Sequence, residues 1–342
     1  MKRMAVLGAG AIGSVLGGYI AKAGEDITLI DTSWREHVAA IQQHGLKISG
    51  ARGESVIPVK ALFIDELSQL EGRIDILFLA VKSYDTEEVL NIIEPYLAED
   101  AWVVSCQNSI NEDVISQIVG ESNTIGCTVT FGSALWEPGH VVETREATLG
   151  FTVGELDGRI TPRIKEIARI TGLCNKTIIT ESIWNERWRK LAGNSMGNPL
   201  TAISGAKMAE LLKNDKARRI TARIAVEIID IAEALGYNLE SLSWISTEMW
   251  KSSRQGWVPE IDDILTERAA GFAGGWSSML QDTIKGRKTE IDYLNGYVVR
   301  KGKEVGVPAP VNEIIVGVVR GVEGRQIKPG MDKIEALYNL IT

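Results

Sequence analysis

The run RMAVLGAGAIGSVLGGYIAKAG, followed at once by EDITLID, constrains the fold more than any other part of this chain. Its first residues are an apolar stretch suited to a buried strand, and they lead directly into GAGAIG, where Gly8, Gly10 and Gly13 satisfy the spacing G-x-G-x-x-G. A helix is expected through Val15, Leu16, Tyr19 and Ile20 to Gly24. A second buried strand, ITLID, then ends in Asp31, about twenty residues past the glycines, as a dinucleotide fingerprint requires. Each glycine has a physical task. Gly8 permits a tight turn, Gly10 lets backbone approach a pyrophosphate, and Gly13 lets helix and strand pack closely, while the helix start offers free N–H groups and a positive dipole end. A bare G-x-G-x-x-G is weak, but in this context it specifies a Rossmann dinucleotide-binding domain, with Ala11 and Ile12 also counted among the cofactor-binding positions.

Read another way, the same segment has the basic start, apolar run and Ala-Lys-Ala of a secretory signal. Gly8, Gly10, Gly13, Gly17 and Gly18 weaken such a helix, and their spacing has its own mechanism, so a cytoplasmic location is expected. No other stretch reaches the ~18 apolar residues of a membrane span.

Asp31 bears on the cofactor. A carboxylate there can accept hydrogen bonds from ribose hydroxyls but meets a 2′-phosphate at like charge, which favours NAD(H) over NADP(H). The alternatives are that Asp31 caps the next helix, or that Thr32, Ser33 and Arg35 accommodate a phosphate. Residues 75 to 82 and 101 to 108 are continuous apolar runs, as in a sheet covered on both faces, and they end in Lys82 and Asn108. Ligands bind past the carboxyl ends of such strands, so both are cofactor or substrate candidates by position. TIGCTVTFGSALWEPGHVVET and ATLGFTVGE read as further strands turning at Pro138-Gly139, at the antiparallel edge of the same sheet. A helix around PRIKEIARITG and a strand NKTIIT follow, and β character ends near residue 181. The domains are therefore set at 1–181 and 182–342, the second helical and without strand pairs.

A chain of 342 residues, 44% hydrophobic and with net charge −8, can bury two ordinary cores and repels nucleic acid and anionic lipid. Its expected partners are small molecules and copies of itself, as a homodimer. The three cysteines, Cys106, Cys127 and Cys174, lack metal-ligand spacing, and no metal site is expected. Within the helical half, Ile220, Ile224, Ile228, Ile231 and Leu235 form a core stripe capped by Gly236. Trp244, Trp250 and Trp257 lie in polar surroundings and read as contact aromatics.

WRKLAGNSMGNPL, residues 188 to 200, is unusual because Lys190, Asn194 and Asn198 recur at steps of four. On a helix successive members are only about 40° apart, so they share one face. Flanked by Trp188, Leu191 and Met196, at the start of the second domain, that face reads as the wall of a site in a cleft between domains. Pro199 disfavours helical geometry at Asn198, which is therefore expected at the helix's end or at a kink.

As a set, GAGAIG, AVKSYDT, Gln107-Asn108, WRKLAGNSMGNPLTA, SSMLQD and TEIDYLNG resemble the ketopantoate reductases, the 2-dehydropantoate 2-reductase family, over nearly the whole chain. The resemblance implies a Rossmann domain followed by an all-α domain of the hydroxyacid dehydrogenase type, and nicotinamide-dependent reduction of a 2-oxo acid. It implies that Lys190 gives a proton to the carbonyl oxygen and stabilises the alkoxide, and that Glu290 binds the substrate hydroxyl and keeps the lysine protonated, with a further place among the cofactor contacts. Asn194, Asn198 and Ser278 match substrate-holding positions, and Lys82 and Asn108 match positions near the cofactor's ribose and nicotinamide. Three features depart from the pattern. Ser109 replaces the glycine of Gln-Asn-Gly, Asp31 stands where many members place a basic residue for the 2′-phosphate of NADP(H), the family's usual cofactor, and the segment from about 240 to 275 is longer. Besides ketopantoate reduction, two functions stay open: a same-family dehydrogenase for another 2-oxo or 2-hydroxy acid, and a nicotinamide-sensing regulator.

Overall fold

The computed structural model describes residues 2–145, 147–271 and 276–341. The chain divides into two compact units, Met1–Arg187 and Trp188–Thr342, and the division falls inside the helix Ile183–Ser204.

Among its described residues the first unit holds twelve strands: β1 (Met4–Leu7), β2 (Ile27–Asp31), β3 (Leu46–Gly50), β4 (Ser55–Ile57), β5 (Lys60–Phe63), β6 (Ile74–Leu79), β7 (Leu97–Ser105), β8 (Thr124–Val129), β9 (Gly132–Glu137), β10 (His140–Arg145), β11 (Phe151–Glu155) and β12 (Thr177–Ile179). Eight of them form one sheet in the order β12-β11-β8-β7-β6-β1-β2-β5. From β5 to β8 every neighbouring pair is parallel. Numbered within the sheet, that is the 3-2-1-4-5-6 order of a dinucleotide-binding fold. β11 then joins β8 antiparallel and β12 completes the edge. Successive residues of the central strands enter opposite cores: Val6, Ile76, Phe78 and Val104 pack in one, Leu7, Leu77, Leu79 and Val103 in the other. Two covered faces are why these strands read as unbroken apolar runs.

One expectation fails here. The hairpin of β9 and β10 around Pro138-Gly139 does not extend the large sheet; it joins a separate four-stranded sheet, β4-β3-β10-β9, in which β10 runs parallel to β3. Strands β3 to β5 escaped the sequence reading because they are short and, at β3 and β4, only half apolar.

Helices dominate the second unit. The helix Asp215–Ala234 buries Ile220, Ile224, Ile228 and Ile231 as the stripe implies, and Tyr237 N–H closes back on Ala232 O at 2.9 Å across a left-handed Gly236. One small strand pair interrupts the helices, Ser241–Leu242 with Ile245–Ser246. Its turn holds Ser243 and Trp244 at φ 50° and 69°. The tryptophans separate: Trp250 is buried with its Nε1 donating to Leu242 O, Trp257 donates to Asp262, and Trp244 is exposed. The segment continues through the helices Thr247–Ser252 and Pro259–Gly271, and its last residues, 272–275, lie outside the described residues. Among the described residues no helix is long and apolar enough to cross a membrane.

Candidate functional site

In the first unit the glycine-rich loop joins β1 to the helix Ala11–Lys22. Gly8 has φ +100°, and a Cβ there would lie 2.6 Å from Val81 N. A Cβ at Gly13 would collide with Gly8 O and lie 2.8 Å from Val6 Cγ1. Both positions exclude larger residues by packing. Gly10 differs, because a Cβ would meet nothing within 4 Å. Its freedom is space on the loop's open side, above a helix start with neither a side-chain cap nor an acidic first turn. Uncapped N–H groups beside open space fit a pyrophosphate.

The loop is braced from below by a buried relay. His37 Nδ1 accepts the Gly139 N–H at 2.8 Å, which leaves the ring proton on Nε2, 3.1 Å from Ser14 Oγ. Ser14 Oγ donates in turn to Ala9 O at 2.8 Å. Burial pushes the His37 imidazole below its usual range, opposed by the Asp31 carboxylate.

Asp31 is buried at the end of β2, and its Oδ1 accepts from Ser33 N at 2.7 Å and Trp34 N at 3.2 Å. These bonds close a turn ahead of the following helix, whose N-cap Trp34 has no side-chain cap, so Asp31 does not cap it; Oδ2 has no hydrogen-bond partner among the described residues and can take a ribose hydroxyl. Arg35, the nearby cation, is paired with Asp65 and lies over the Phe63 ring.

Lys82 and Asn108 lie past the carboxyl ends of β6 and β7. Their segments are tied together, with Asn111 Nδ2 donating to Asn108 O at 2.9 Å and to Ser83 Oγ at 3.2 Å, and Gln107 Nε2 donating to Val81 O at 2.9 Å. Ser109 takes the left-handed conformation, φ 67°, that a glycine adopts freely, so the turn is kept at a cost of roughly 1 kcal/mol. Beneath it lies an ion pair that sequence reasoning missed. Arg187, 1% exposed, sets Nε 2.7 Å from Oε1 of the fully buried Glu112 and donates to Gln107 O and Cys127 O at 2.9 and 2.6 Å. Its place between Trp184 and Leu191 on one helical face was the available signal, since a buried cation needs an anion.

In the second unit, the helix Ile183–Ser204 carries Lys190, Asn194 and Asn198, all half-buried, while Trp188 and Leu191 are buried. The helix does not end at Asn198; Pro199 lies inside it. Asn198 Nδ2 lies 3.4 Å from Ser278 Oγ, and Thr201 Oγ1 lies 2.6 Å from Ser277 Oγ, so two predicted substrate residues are brought together. Ser277 also caps the helix Ser278–Lys285 through Leu280 N at 3.1 Å, which fixes where Ser278 begins. Glu290 is 4% exposed and starts a turn, its carbonyl accepting from Tyr293 N and Leu294 N at 3.0 and 2.9 Å.

A sheet in this order, with an uncapped glycine helix start and a strand-end acid, defines a dinucleotide-binding protein of the Rossmann class. Comparison narrows this. The models "Ketopantoate reductase PanE/ApbA" and "Ketopantoate reductase PanE/ApbA C terminal" match residues 4–158 and 182–323. The chain is 32% identical to the 2-dehydropantoate 2-reductase of Archaeoglobus fulgidus, covering 94% of this chain and 98% of the relative. It is 33% identical to that of Pyrococcus horikoshii, covering 93% and 96%. Among solved structures, D-mandelate dehydrogenase in a ternary complex with NADH and anilino(oxo)acetate superposes with a TM-score of 0.80 at 28% identity, covering 94% of this chain and 99% of that one. A PanE/ApbA family ketopantoate reductase from Ralstonia eutropha gives 0.79 at 26%, covering 95% and 99%. The chain belongs to the ketopantoate reductase family and is a nicotinamide-dependent oxidoreductase.

Proposed function

We propose that this chain reduces 2-dehydropantoate to pantoate with NADH, as a cytoplasmic homodimer whose residues 1–181 bind the dinucleotide and 182–342 the oxo acid. The observation that carries the reaction is the half-buried file of Lys190, Asn194 and Asn198, with Ser278 within reach of Asn198. NADH, when bound, supplies the hydride that reaches the carbonyl carbon. Lys190 gives the carbonyl oxygen its proton, and its charge stabilises the developing alkoxide. Glu290 binds the substrate hydroxyl and assists the lysine. Asn194, Asn198 and Ser278 hold carboxylate and hydroxyl, while Lys82 and Asn108 attend the ribose and nicotinamide. Asp31 supports NADH over NADPH, because its Oδ2, without a hydrogen-bond partner among the described residues, suits a ribose hydroxyl while Arg35 is paired with Asp65.

A second reading is favoured by one observation, the likeness to D-mandelate dehydrogenase. With Ser109 at the turn where the family pattern has glycine, the same apparatus would act on a bulkier 2-oxo acid or its 2-hydroxy product. Steady-state rates with 2-dehydropantoate and a panel of branched and aromatic 2-oxo acids, each with NADH and NADPH, separate the readings. Preferred turnover of 2-dehydropantoate with NADH is expected; negligible turnover of it beside a good aromatic substrate transfers the proposal to the second reading, and a lower KM for NADPH removes the role given to Asp31. Lys190→Ala should abolish turnover and leave NADH binding intact, and an unchanged rate would remove Lys190 from the mechanism.

A further inference from the structure

Proline inside a helix has no N–H to give the carbonyl four residues earlier, and its ring crowds that carbonyl. For Pro199 the deprived acceptor is Ser195 O, in a buried residue that needs a donor from elsewhere. Asn295, 0% exposed, provides one: its Nδ2 donates to Ser195 O at 3.2 Å. The same group donates to Asn312 Oδ1 at 2.9 Å, and Asn312 Nδ2 donates to Glu227 at 2.7 Å. Glu227 also accepts the N–H groups of Val311 and Asn312 at 2.8 and 3.0 Å, and so caps the helix Pro310–Glu323, which has no side-chain cap of its own.

The direction of this chain is fixed by its acceptor end. A carboxylate can only accept, so Asn312 must turn its amide nitrogen toward Glu227 and its oxygen toward Asn295. Asn295 must then present its own NH₂ to both Asn312 and Ser195. Ser195 stands between Asn194 and Asn198 on the polar face's own helix. Asn295 opens the helix Asn295–Val305 directly after the turn that Glu290 begins. One amide thus joins the turn carrying Glu290 to the helix carrying Lys190.

We infer that Asn295 is a positioning residue for the oxo-acid site, which by holding the Ser195 carbonyl that Pro199 leaves unpaired fixes Glu290 in register with Lys190, Asn194 and Asn198. This rests on the substrate role proposed for those four residues.

The test compares Asn295→Ala, Pro199→Ala and the double variant, using whichever 2-oxo acid the wild type turns over fastest. Pro199→Ala restores an N–H at 199 and returns to Ser195 O its partner within the helix. Asn295→Ala is expected to lower kcat/KM about 10- to 100-fold with the NADH dissociation constant held within about twofold, and the double variant to stay as low, because a restored helical bond at Ser195 O leaves the Glu290 turn untied. A kcat/KM within about threefold of wild type for Asn295→Ala, or a loss that Pro199→Ala recovers, which would make the unpaired carbonyl alone responsible, overturns the inference. If Asn295→Ala is not recovered folded, Asn295→Asp, similar in volume but without the amide donor, is read in the same way. A wild type inert toward every 2-oxo acid strikes the functional reading itself, whereas variants equal to an active wild type strike only the role of Asn295.

Discussion

Removal of the Glu112 carboxylate tests how much of the first unit depends on one buried charge pair. Glu112→Ala deletes the contact of Arg187 Nε with Oε1 at 2.7 Å, that of Nη2 with Oε2 at 3.1 Å, and the acceptor that Oε2 offers Asn111 N at 3.0 Å. The guanidinium, 1% exposed, is then left with neutral acceptors: Gln107 O, Cys127 O and Ser105 Oγ. Breaking a buried pair from one side costs about 3–5 kcal/mol, because the remaining charge cannot be rehydrated. Burial already pushes the Glu112 carboxyl up, with Arg187 opposing, so desolvation is the larger effect to be offset. For a unit of this size, about 4 kcal/mol corresponds to a fall in Tm of roughly 8–16 °C. Replacing both partners, as Glu112→Leu with Arg187→Met, is often nearly neutral for a simple ion pair. Here it should remain well below wild type, since the carbonyls of Gln107 and Cys127 also lose their donor. Thermal unfolding followed by circular dichroism measures both. A Glu112→Ala protein melting within about 2 °C of wild type, or a double variant equal to wild type, would refute the reasoning.

Two further outcomes are expected. For His37, burial holds the folded pKa below its unfolded value of about 6.5, so the unfolded chain binds more protons and the neutral ring's contribution is present above that pH and lost as pH falls below it; the drop in Tm between pH 7.5 and 5.5 should be smaller in His37→Gln, and an equal drop would show that the relay does not titrate. Gly8→Ala, forced against Val81 N at φ +100°, should lower Tm, whereas Gly10→Ala, with open space around it, should melt like wild type and yet bind NADH more weakly by fluorescence titration; normal NADH affinity in Gly10→Ala would place the pyrophosphate elsewhere.

The large sheet was legible because its central strands are buried on both faces, and a succession of unbroken apolar runs leading into Gly8, Asp31, Lys82 and Asn108 suits little besides a covered parallel sheet. The small sheet was not. Its two local pairs, β3 with β4 and β9 with β10, are joined by one long-range pairing, and nothing local to LKISG says that HVVETR will lie beside it. At Pro199 a sound local rule lost to tertiary structure, because a donor from Asn295 removes much of the reason for the helix to stop. Lys190, Asn194 and Asn198 stood out by spacing alone. Arg187, three positions before Lys190, did not, since its meaning depends on a glutamate in a distant helix start.

The small sheet also sets a timetable for synthesis of the chain. Ser49 Oγ meets His140 Nε2 at 2.7 Å across a separation of 91 positions, and His37 Nδ1 meets Gly139 N across 102. While a ribosome adds about 5–20 residues per second, β3 waits several seconds with one edge bare before β10 exists to cover it. Contacts this distant are slow to close and expose strand edges in the interval. The hairpin at Pro138-Gly139 is therefore the piece whose late arrival closes the small sheet, and a chain stalled before it would present β3 to its neighbours as an open template.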